Sequence, residues 1–286
     1  MIHGVLTHFT TFAGILGPVN SHPIPPKPVI RATARAITEF DMIRPDDRVL
    51  VALSGGKDSL TLLHALRHLQ RRAPLRFEIG AATVDPGIEG FDPSYLRTYV
   101  PALEIPLFYR TEKIVERALM TMRGDSFCSY CARMRRGILY DVARKEGYNV
   151  LALGHHLDDL AESFLLSAFF GGRLGTMKAH YRNDAGDLRI IRPLVYVRER
   201  QTRNFAERAG LPAIRDNCPA CFTMPSQRQK MKELLANQEQ ENPVLFKSLR
   251  RAMAPLMRGI TYSDYPLGDE NESNRVSKER ELVIIP

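Results

Sequence analysis

Apolar residues follow two different spacings in the first part of the chain, and the change from one to the other marks a turn. Residues 48–53 form a short apolar run that is too brief for an independent helix. From residue 57 to residue 71, leucines recur at helical spacing. The pattern therefore predicts a strand, a tight turn and a helix that begins directly after the turn.

The same alternation continues along the chain. Further strands are predicted over 77–84, 105–109 and 149–153, and helices over 30–43, 94–100, 112–120 and 157–170. After residue 194 the pattern is helical, over 201–209, 227–237 and 244–257. Strands that alternate with helices predict an α/β fold with a doubly wound parallel sheet, followed here by a helical C-terminal extension. We expect a flexible N-terminal arm over 1–29, one catalytic domain over 30–258 and a mobile C-terminal tail over 259–286.

The first turn carries the residues of an anion site. Its sequence, Ser54-Gly55-Gly56-Lys57-Asp58-Ser59, lies between the first predicted strand and its helix. The glycines allow positive φ and a close backbone approach, the serines add hydroxyls, and the amides of the first helical turn carry partial positive charge. The spacing is not the Walker pattern, which has four residues between its first glycine and the Gly-Lys unit.

Composition narrows the class of protein. A chain of 286 residues with 44% hydrophobic content can bury one large α/β core. The net charge of +8 favours a polyanionic partner, and arginines concentrate at 133–136 and 198–208. The sequence has neither a convincing secretion signal nor a membrane-spanning apolar run, so we expect a soluble protein in the reducing cytoplasm, without a membrane partner.

The four cysteines form two Cys-x-x-Cys pairs, Cys128/Cys131 and Cys218/Cys221. In a reducing compartment, metal or redox chemistry outranks disulfides. The pairs are separated by the 86 residues 132–217, far more than in a compact zinc module. A Cys₄ zinc site, a redox dithiol and buried cysteines remain alternatives. A [4Fe-4S] cluster on three of the thiolates would leave one iron open to bind sulfide.

A second acidic motif follows the predicted strand 149–153. Gly154-His-His-Leu-Asp158-Asp159 opens the next helix, where its dipole favours both carboxylates. Either acid could bind Mg²⁺ beside ATP phosphates or act as a base, and the alternative is ordinary helix capping.

These motifs together resemble a known family. The turn 54–59 matches the PP-loop of the ATP pyrophosphatase superfamily, whose members adenylate a carbonyl oxygen. In combination the motifs are similar to the tRNA 2-thiocytidine biosynthesis family over residues 30–235. The motifs that carry the resemblance are 54–59, 128–131 with 135–140, 154–159, 169–172, 192–194, and the late cysteine pair ahead of 227–229.

The resemblance implies ATP, Mg²⁺ and a [4Fe-4S] cluster as cofactors, and tRNA as the substrate. The carbonyl oxygen at C2 of cytidine 32, in the anticodon loop, would attack the α-phosphate, and sulfide on the open iron would then displace AMP. It implies the following residues: for ATP, Ser54, Gly55, Gly56, Lys57, Asp58, Ser59, Val84 and Gly154, with Asp85 as a neighbour; for catalysis, Lys57, Asp158 and Asp159; for the cluster, Cys128, Cys131 and Cys218, with Cys221 as second choice; for RNA, Arg133, Arg135 and Arg136.

Two other functions remain open at this point. A PP-loop ligase similar to lysidine synthetase would adenylate a carbonyl for attack by an amine and would need no cysteine. A basic, zinc-stabilised RNA-binding protein would carry no ATP turnover. The sulfur donor, either derived from a cysteine desulfurase or free sulfide, and the choice between a monomer and a homodimer are also left open.

Overall fold

The computed structural model describes residues 22–87, 91–121, 127–214 and 227–260. The predicted arm, the predicted tail and the late cysteine pair fall largely outside these ranges. The strands are β1 (Asp47–Ala52), β2 (Phe77–Asp85), β3 (Leu107–Thr111), β4 (Val150–Ala152), β5 (His180–Arg182) and β6 (Arg189–Ile191). The helices are α1 (Lys27–Glu39), α2 (Lys57–Arg72), α3 (Leu96–Ala102), α4 (Ile114–Thr121), α5 (Phe127–Lys145), α6 (Leu157–Gly171), α7 (Glu199–Arg208), α8 (Gln227–Glu241) and α9 (Leu245–Met257).

The six strands form one sheet in the order β3-β2-β1-β4-β6-β5. Five strands are parallel, and β5 runs antiparallel to β6 at the edge. Side chains of β1 alternate between the two faces: Val49 and Val51 pack in the core with α1, α2 and α6, whereas Leu50 packs with α5. The α/β prediction is thus confirmed, with one antiparallel edge strand added.

The chain order creates a switch point between β1 and β4. From β1 the chain moves outward through β2 to β3, and β4 then adds to the opposite side of β1. In open parallel sheets, ligands bind at the carboxyl ends of the strands where this reversal occurs. The loops after β1 and β4 meet at that edge.

Two details differ from the expected elements. The strands β5 and β6 were not predicted, since three residues are too few to show a period of two. Helix α1 begins at Lys27 rather than at residue 30, because Pro28 lies in its first turn, where the missing N–H has no intrahelical role. Among the described residues, none of the helices is both long and apolar enough to cross a membrane.

Candidate active site

The turn after β1, residues 54–59, is called the glycine turn below, and Gly55 determines its shape. Gly55 has φ +82°, in the left-handed region. Its carbonyl oxygen accepts hydrogen bonds from the Tyr95 hydroxyl and the Ile214 amide, each at 2.9 Å. A Cβ at this position would lie 2.6 Å from Cδ1 of Ile214. The positive φ therefore requires glycine, and the Ile214 side chain packs closely over the turn.

Serine hydroxyls hold the glycine turn in place. Ser54 Oγ accepts from the Gly56 amide at 3.3 Å, and Ser59 Oγ donates to the Gly56 carbonyl at 2.9 Å. Helix α2 begins at the next residue, so its first amides, which have no intrahelical partner, point out of this turn. The turn is preformed for an anion.

The loop after β4 contacts the glycine turn at Gly154. A Cβ on Gly154 would lie 3.2 Å from both Cα and N of Ser59. Since these are backbone atoms at the start of α2, they have little room to move. The close approach brings the carboxyl ends of β1 and β4 together.

A cavity of about 320 Å³ lies between these loops, the end of β2 and helix α5. It is lined by Ala52, Leu53, Ser54, Asp58, Ser59, Val84, Arg135, Leu139, Leu153, Gly154, His155 and Asp159. The set contains five of the eight residues that the sequence predicts for ATP: Ser54, Asp58, Ser59, Val84 and Gly154. Arg135, predicted for RNA, also lines it and donates to the Val84 carbonyl at 3.3 Å.

Lys57 faces a second, polar cavity of about 240 Å³, which shares Asp58 and Asp159 with the first. Its Nζ lies 3.0 Å from Asp58 and 3.1 Å from Glu199. Burial opposes the charge on Lys57, but the two carboxylates outweigh it and raise the pKa of the ammonium. Asp58 also accepts a hydrogen bond from the Thr202 hydroxyl. Glu199 and Thr202, at the start of α7, were not among the predicted site residues.

Asp158 is engaged away from the nucleotide cavity. Arg198 contacts its carboxylate at 3.0 to 3.1 Å, and the Glu199 amide donates to it at 2.8 Å. The same guanidinium binds Glu239 at 2.6 and 2.8 Å and lies 3.3 Å from the centre of the Phe246 ring. The sequence interpretation of 198–208 as local positive charge is therefore wrong for Arg198, whose charge is neutralised internally.

Asp159 caps helix α6 and also lines both cavities. Its carboxylate accepts from the His156 amide at 2.9 Å, and its own amide donates to Nδ1 of His156 at 3.3 Å. Arg228, in the first turn of α8, lies 3.4 Å from it. Burial opposes ionisation, but His156 and its amide lower the pKa of Asp159. Asp159 therefore caps the helix, as the alternative interpretation of the motif expected, and it also faces the cavity.

His155 is a cavity residue that the sequence interpretation left without a role. Burial, together with the neighbouring Arg192, lowers the pKa of its imidazole to about 4, so the ring is neutral at pH 7. Its Nδ1 accepts from Nε of Arg192 at 3.3 Å, which leaves the proton on Nε2. Arg192 in turn donates to the Lys178 carbonyl at 2.6 Å. The signal for His155 was present in the predicted motifs 154–159 and 192–194.

The first cysteine pair lies on the helix that forms one wall of the nucleotide cavity. Cys128 and Cys131 are in the first turns of α5, and Cys131 is half-buried one turn before Arg135. Two other predicted RNA contacts on this helix, Arg133 and Arg136, are exposed. The described residues contain no group of three or more His, Cys, Asp or Glu side chains that could hold a metal.

The side chain of Cys128 and both late cysteines lie outside the described residues. Before the late pair, the amide of Ile214 donates to the Gly55 carbonyl. After it, Nε of Arg228 binds Glu162 at 2.7 Å, next to Asp159. The described residue before the segment thus contacts the glycine turn, and the helix after it contacts the wall of the polar cavity.

Known proteins are similar to this chain over most of its length. Residues 29–236 match the model of the PP-loop domain family. The tRNA-cytidine(32) 2-sulfurtransferase of Geobacter sulfurreducens is 44% identical over 228 residues, which cover 79% of this chain and 89% of that protein. The protein of the same name from Syntrophotalea carbinolica is 43% identical over 228 residues, 78% of this chain and 86% of that protein.

Among solved structures, the U34-tRNA thiolase NcsA from Methanococcus maripaludis with its [4Fe-4S] cluster superposes with a TM-score of 0.62 and 25% identity. The match covers 79% of this chain and 78% of that one. The resemblance seen in the sequence motifs is confirmed: the chain belongs to the PP-loop family and, within it, to the tRNA-cytidine(32) 2-sulfurtransferases.

Proposed function

We propose that this protein is an ATP-dependent tRNA sulfurtransferase that converts cytidine 32 into 2-thiocytidine. The observation that carries the proposal is that one helix both lines the nucleotide cavity and carries a cysteine. Helix α5 lines the nucleotide cavity through Arg135 and Leu139, and it carries Cys131 one turn away. A site that adenylates a base and a site that delivers sulfur to it must lie this close together.

The glycine turn holds the pyrophosphate part of ATP through its backbone amides and the hydroxyls of Ser54 and Ser59. Val84, at the end of β2, lies on the side of the cavity where the adenosine fits. Gly154 keeps the opposite wall close enough to enclose the α-phosphate. Mg²⁺ bound with ATP would be held by Asp58 and Asp159, which face both cavities, and would offset phosphate charge.

His155 and Lys57 act on different parts of the nucleotide. The neutral imidazole of His155 donates from Nε2 to an oxygen in the cavity, while the buried Arg192 keeps this tautomer. Lys57 stays charged in the polar cavity, where it stabilises the leaving pyrophosphate. Asp158 does not enter either step, because Arg198 occupies it. The C2 oxygen of cytidine can then attack the α-phosphate, which makes AMP the leaving group.

Cys128, Cys131 and one cysteine of the late pair, with Cys218 favoured, would hold a [4Fe-4S] cluster whose open iron supplies sulfur to the activated C2. Arg135 belongs to this helix and lines the nucleotide cavity, where it orients the target base between the nucleotide and the cluster. The basic residues Arg133 and Arg136 contact RNA phosphates on the exposed face of the same helix.

The test uses anaerobically purified protein with ATP, Mg²⁺ and an anticodon stem-loop carrying either C32 or U32. Sulfur is supplied as free sulfide in one arm and through a cysteine desulfurase with cysteine in the other. Mass spectrometry of the digested RNA should detect 2-thiocytidine only with C32, and pyrophosphate release should accompany it.

Matched variants separate the two halves of the reaction. Ser59→Ala should weaken ATP binding, whereas Cys131→Ser should abolish thiolation and leave ATP binding intact. If the protein were an amide-forming ligase, Cys131→Ser would keep full ATP turnover. A zinc-stabilised RNA-binding protein predicts RNA binding without ATP turnover, and either result would refute the proposal.

A further inference from the structure

A groove runs along the C-terminal half of helix α6, away from the nucleotide cavity. It has a volume of about 1050 Å³ and lies between Ser163, Leu166 and Ser167 of the helix and the returning loop 171–176. Ser163 lies one helical turn after Asp159, so the groove begins where the nucleotide cavity ends.

The loop that forms the outer wall of this groove is fixed to the helix. The Ser167 hydroxyl donates to the Arg173 carbonyl at 2.9 Å, and the Thr176 hydroxyl donates to the Leu160 carbonyl at 2.7 Å. Gly172 ends α6 in the left-handed conformation with φ 59°. The groove is therefore preformed, which lowers the entropic cost of binding a ligand in it.

Two adjacent aromatic residues follow Ala168 and precede Gly171, which both line the groove. Phe169 and Phe170 are each 59% exposed, and Leu174 across the loop is 42% exposed. Arg173, also exposed, lies beside them. Exposed apolar clusters of this kind mark interaction sites, and aromatic rings next to a guanidinium suit unpaired bases with their phosphates.

The length of the groove fits a short stretch of single-stranded RNA. Phe170 lies eleven positions after Asp159 on one helix, which is about 16 Å at 1.5 Å per residue. Stacked nucleotides rise 3.4 Å each along a strand, so about five of them span this distance.

We propose that this groove binds the unpaired anticodon-loop nucleotides next to the target cytidine, with the rings of Phe169 and Phe170 stacking on separate bases and Arg173 as a phosphate contact. The inference rests on the proposed function, since it needs a tRNA substrate. RNA is favoured over a second copy of the chain because a guanidinium stands beside the exposed rings and hydroxyls line the groove, although Leu166, Ala168 and Leu174 line it as well.

The first experiment uses tryptophan fluorescence, because the chain contains no tryptophan. Phe170→Trp places one reporter at the end of the groove. Val244→Trp places the matched control at an exposed apolar position, 56% exposed, at the start of α9. Titration with the anticodon stem-loop should quench the first reporter through base stacking and leave the second unchanged. Equal responses at the two sites would overturn the inference.

The second experiment uses Phe169→Leu/Phe170→Leu, which keeps apolar surface but removes both rings. The Kd for the stem-loop and the KM for RNA should rise about tenfold or more, while kcat at saturating RNA and the Kd for ATP without RNA stay unchanged. Arg173→Gln should weaken binding further and reduce its salt dependence.

The outcomes separate the two levels of the argument. Wild-type protein that neither binds nor thiolates the stem-loop would refute the proposed function and the groove together. Wild-type activity with an unchanged Kd and KM in the leucine variant would refute the groove alone. A changed molar mass of that variant in light scattering, with unchanged RNA affinity, would assign the face to a second copy instead.

Discussion

Replacement of Arg198 tests whether Asp158 is an anchor or a catalytic residue. Arg198 joins Asp158 of α6 to Glu239 of α8 and lies over the ring of Phe246 in α9. Both acids are largely shielded from water, with side chains 14% and 26% exposed. Arg198→Met keeps most of the side-chain length over the ring but leaves the two carboxylates without their cation.

The expected cost follows from the loss of that partner. Removing one member of a buried ion pair typically costs 3–5 kcal/mol, and the partial exposure of Glu239 places the value here near the lower limit, at about 3 kcal/mol. Because domains of this size have roughly 5–15 kcal/mol of stability, the variant still folds. The triple variant Arg198→Met/Asp158→Asn/Glu239→Gln carries no unpaired charge at this site and should recover most of the loss.

Urea denaturation of Arg198→Met, Asp158→Asn and Glu239→Gln, of their pairwise combinations and of the triple variant gives the coupling free energies between these side chains. Thiolation assays on the same proteins then separate the two roles of Asp158. If Asp158 anchors Arg198, Asp158→Asn lowers stability and the triple variant regains activity together with stability. Costs below 1 kcal/mol for Arg198→Met, or loss of thiolation by Asp158→Asn without loss of stability, would refute the assignment.

Three further predictions concern packing, pH and helix docking. Gly154→Ala should cost about 1–3 kcal/mol and weaken ATP binding, because its Cβ meets backbone atoms of the glycine turn. Gly137→Ala, in α5 with no atom near the new methyl group, should stabilise by up to about 1 kcal/mol. Burial and a nearby arginine lower the pKa of His64 from 6.5 to about 4. As the pH falls from 6.5 to 4, the unfolded chain therefore takes up the proton first, and up to about 3 kcal/mol of stability is lost. His64→Gln should remove that share of the pH dependence. Glu162→Gln should weaken its contact with Arg228 and increase hydrogen exchange in the first turn of α8.

Each of these predictions has a matched measurement that could contradict it. Equal melting behaviour of the two glycine variants would exclude the close contact at Gly154. Thr61→Val, a buried polar change on the same helix as His64, should alter the free energy of unfolding equally at all pH values. If His64→Gln left the pH dependence of that free energy unchanged, the imidazole of His64 would not be buried and neutral. Glu241→Gln, at the exposed C-terminal end of α8, should leave hydrogen exchange in the first turn unchanged. An equal effect of both glutamate variants would show that α8 is not held by Glu162.

Local patterns predicted the central part of the fold, because strand, turn and helix signals all lie within a few residues of each other. The glycine turn and α2 needed no distant information. The two acids after β4 could not be separated in this way. Neighbouring residues on a helix point about 100° apart, so Asp159 faces the cavities while Asp158 faces Arg198, and either could have been the one inside.

The residues that sequence reasoning missed come from distant elements. Glu199 and Thr202 reach Lys57 and Asp58 across more than 140 positions, and Arg228 reaches Asp159 across 69. No local periodicity reports such a contact. Arg228 stood within the motif 227–229, although no role was assigned to it. For Glu199 and Thr202 the available sign was the cluster of charged residues at the start of α7.

The net charge of +8 illustrates why position matters more than composition for RNA binding. Arg198 is neutralised by two acids and joins α6 to α8, and Arg203 pairs with Glu199 within α7 at 3.3 Å, so part of the basic stretch 198–208 is paired inside the protein. Exposed arginines remain in this stretch at Arg200 and Arg208, and others occur at Arg136 on α5 and at Arg173 beside the groove of α6. Because counterions are released only where cations meet phosphates, Arg136 and Arg173, which the proposals place against RNA, should contribute to the salt dependence of binding, whereas Arg198 should not. Arg136 follows Arg135 of the cavity wall, and the groove of α6 begins one turn after Asp159 of the same cavity. Under the two proposals, an RNA loop that contacts both arginines therefore passes its target base near the site of adenylation.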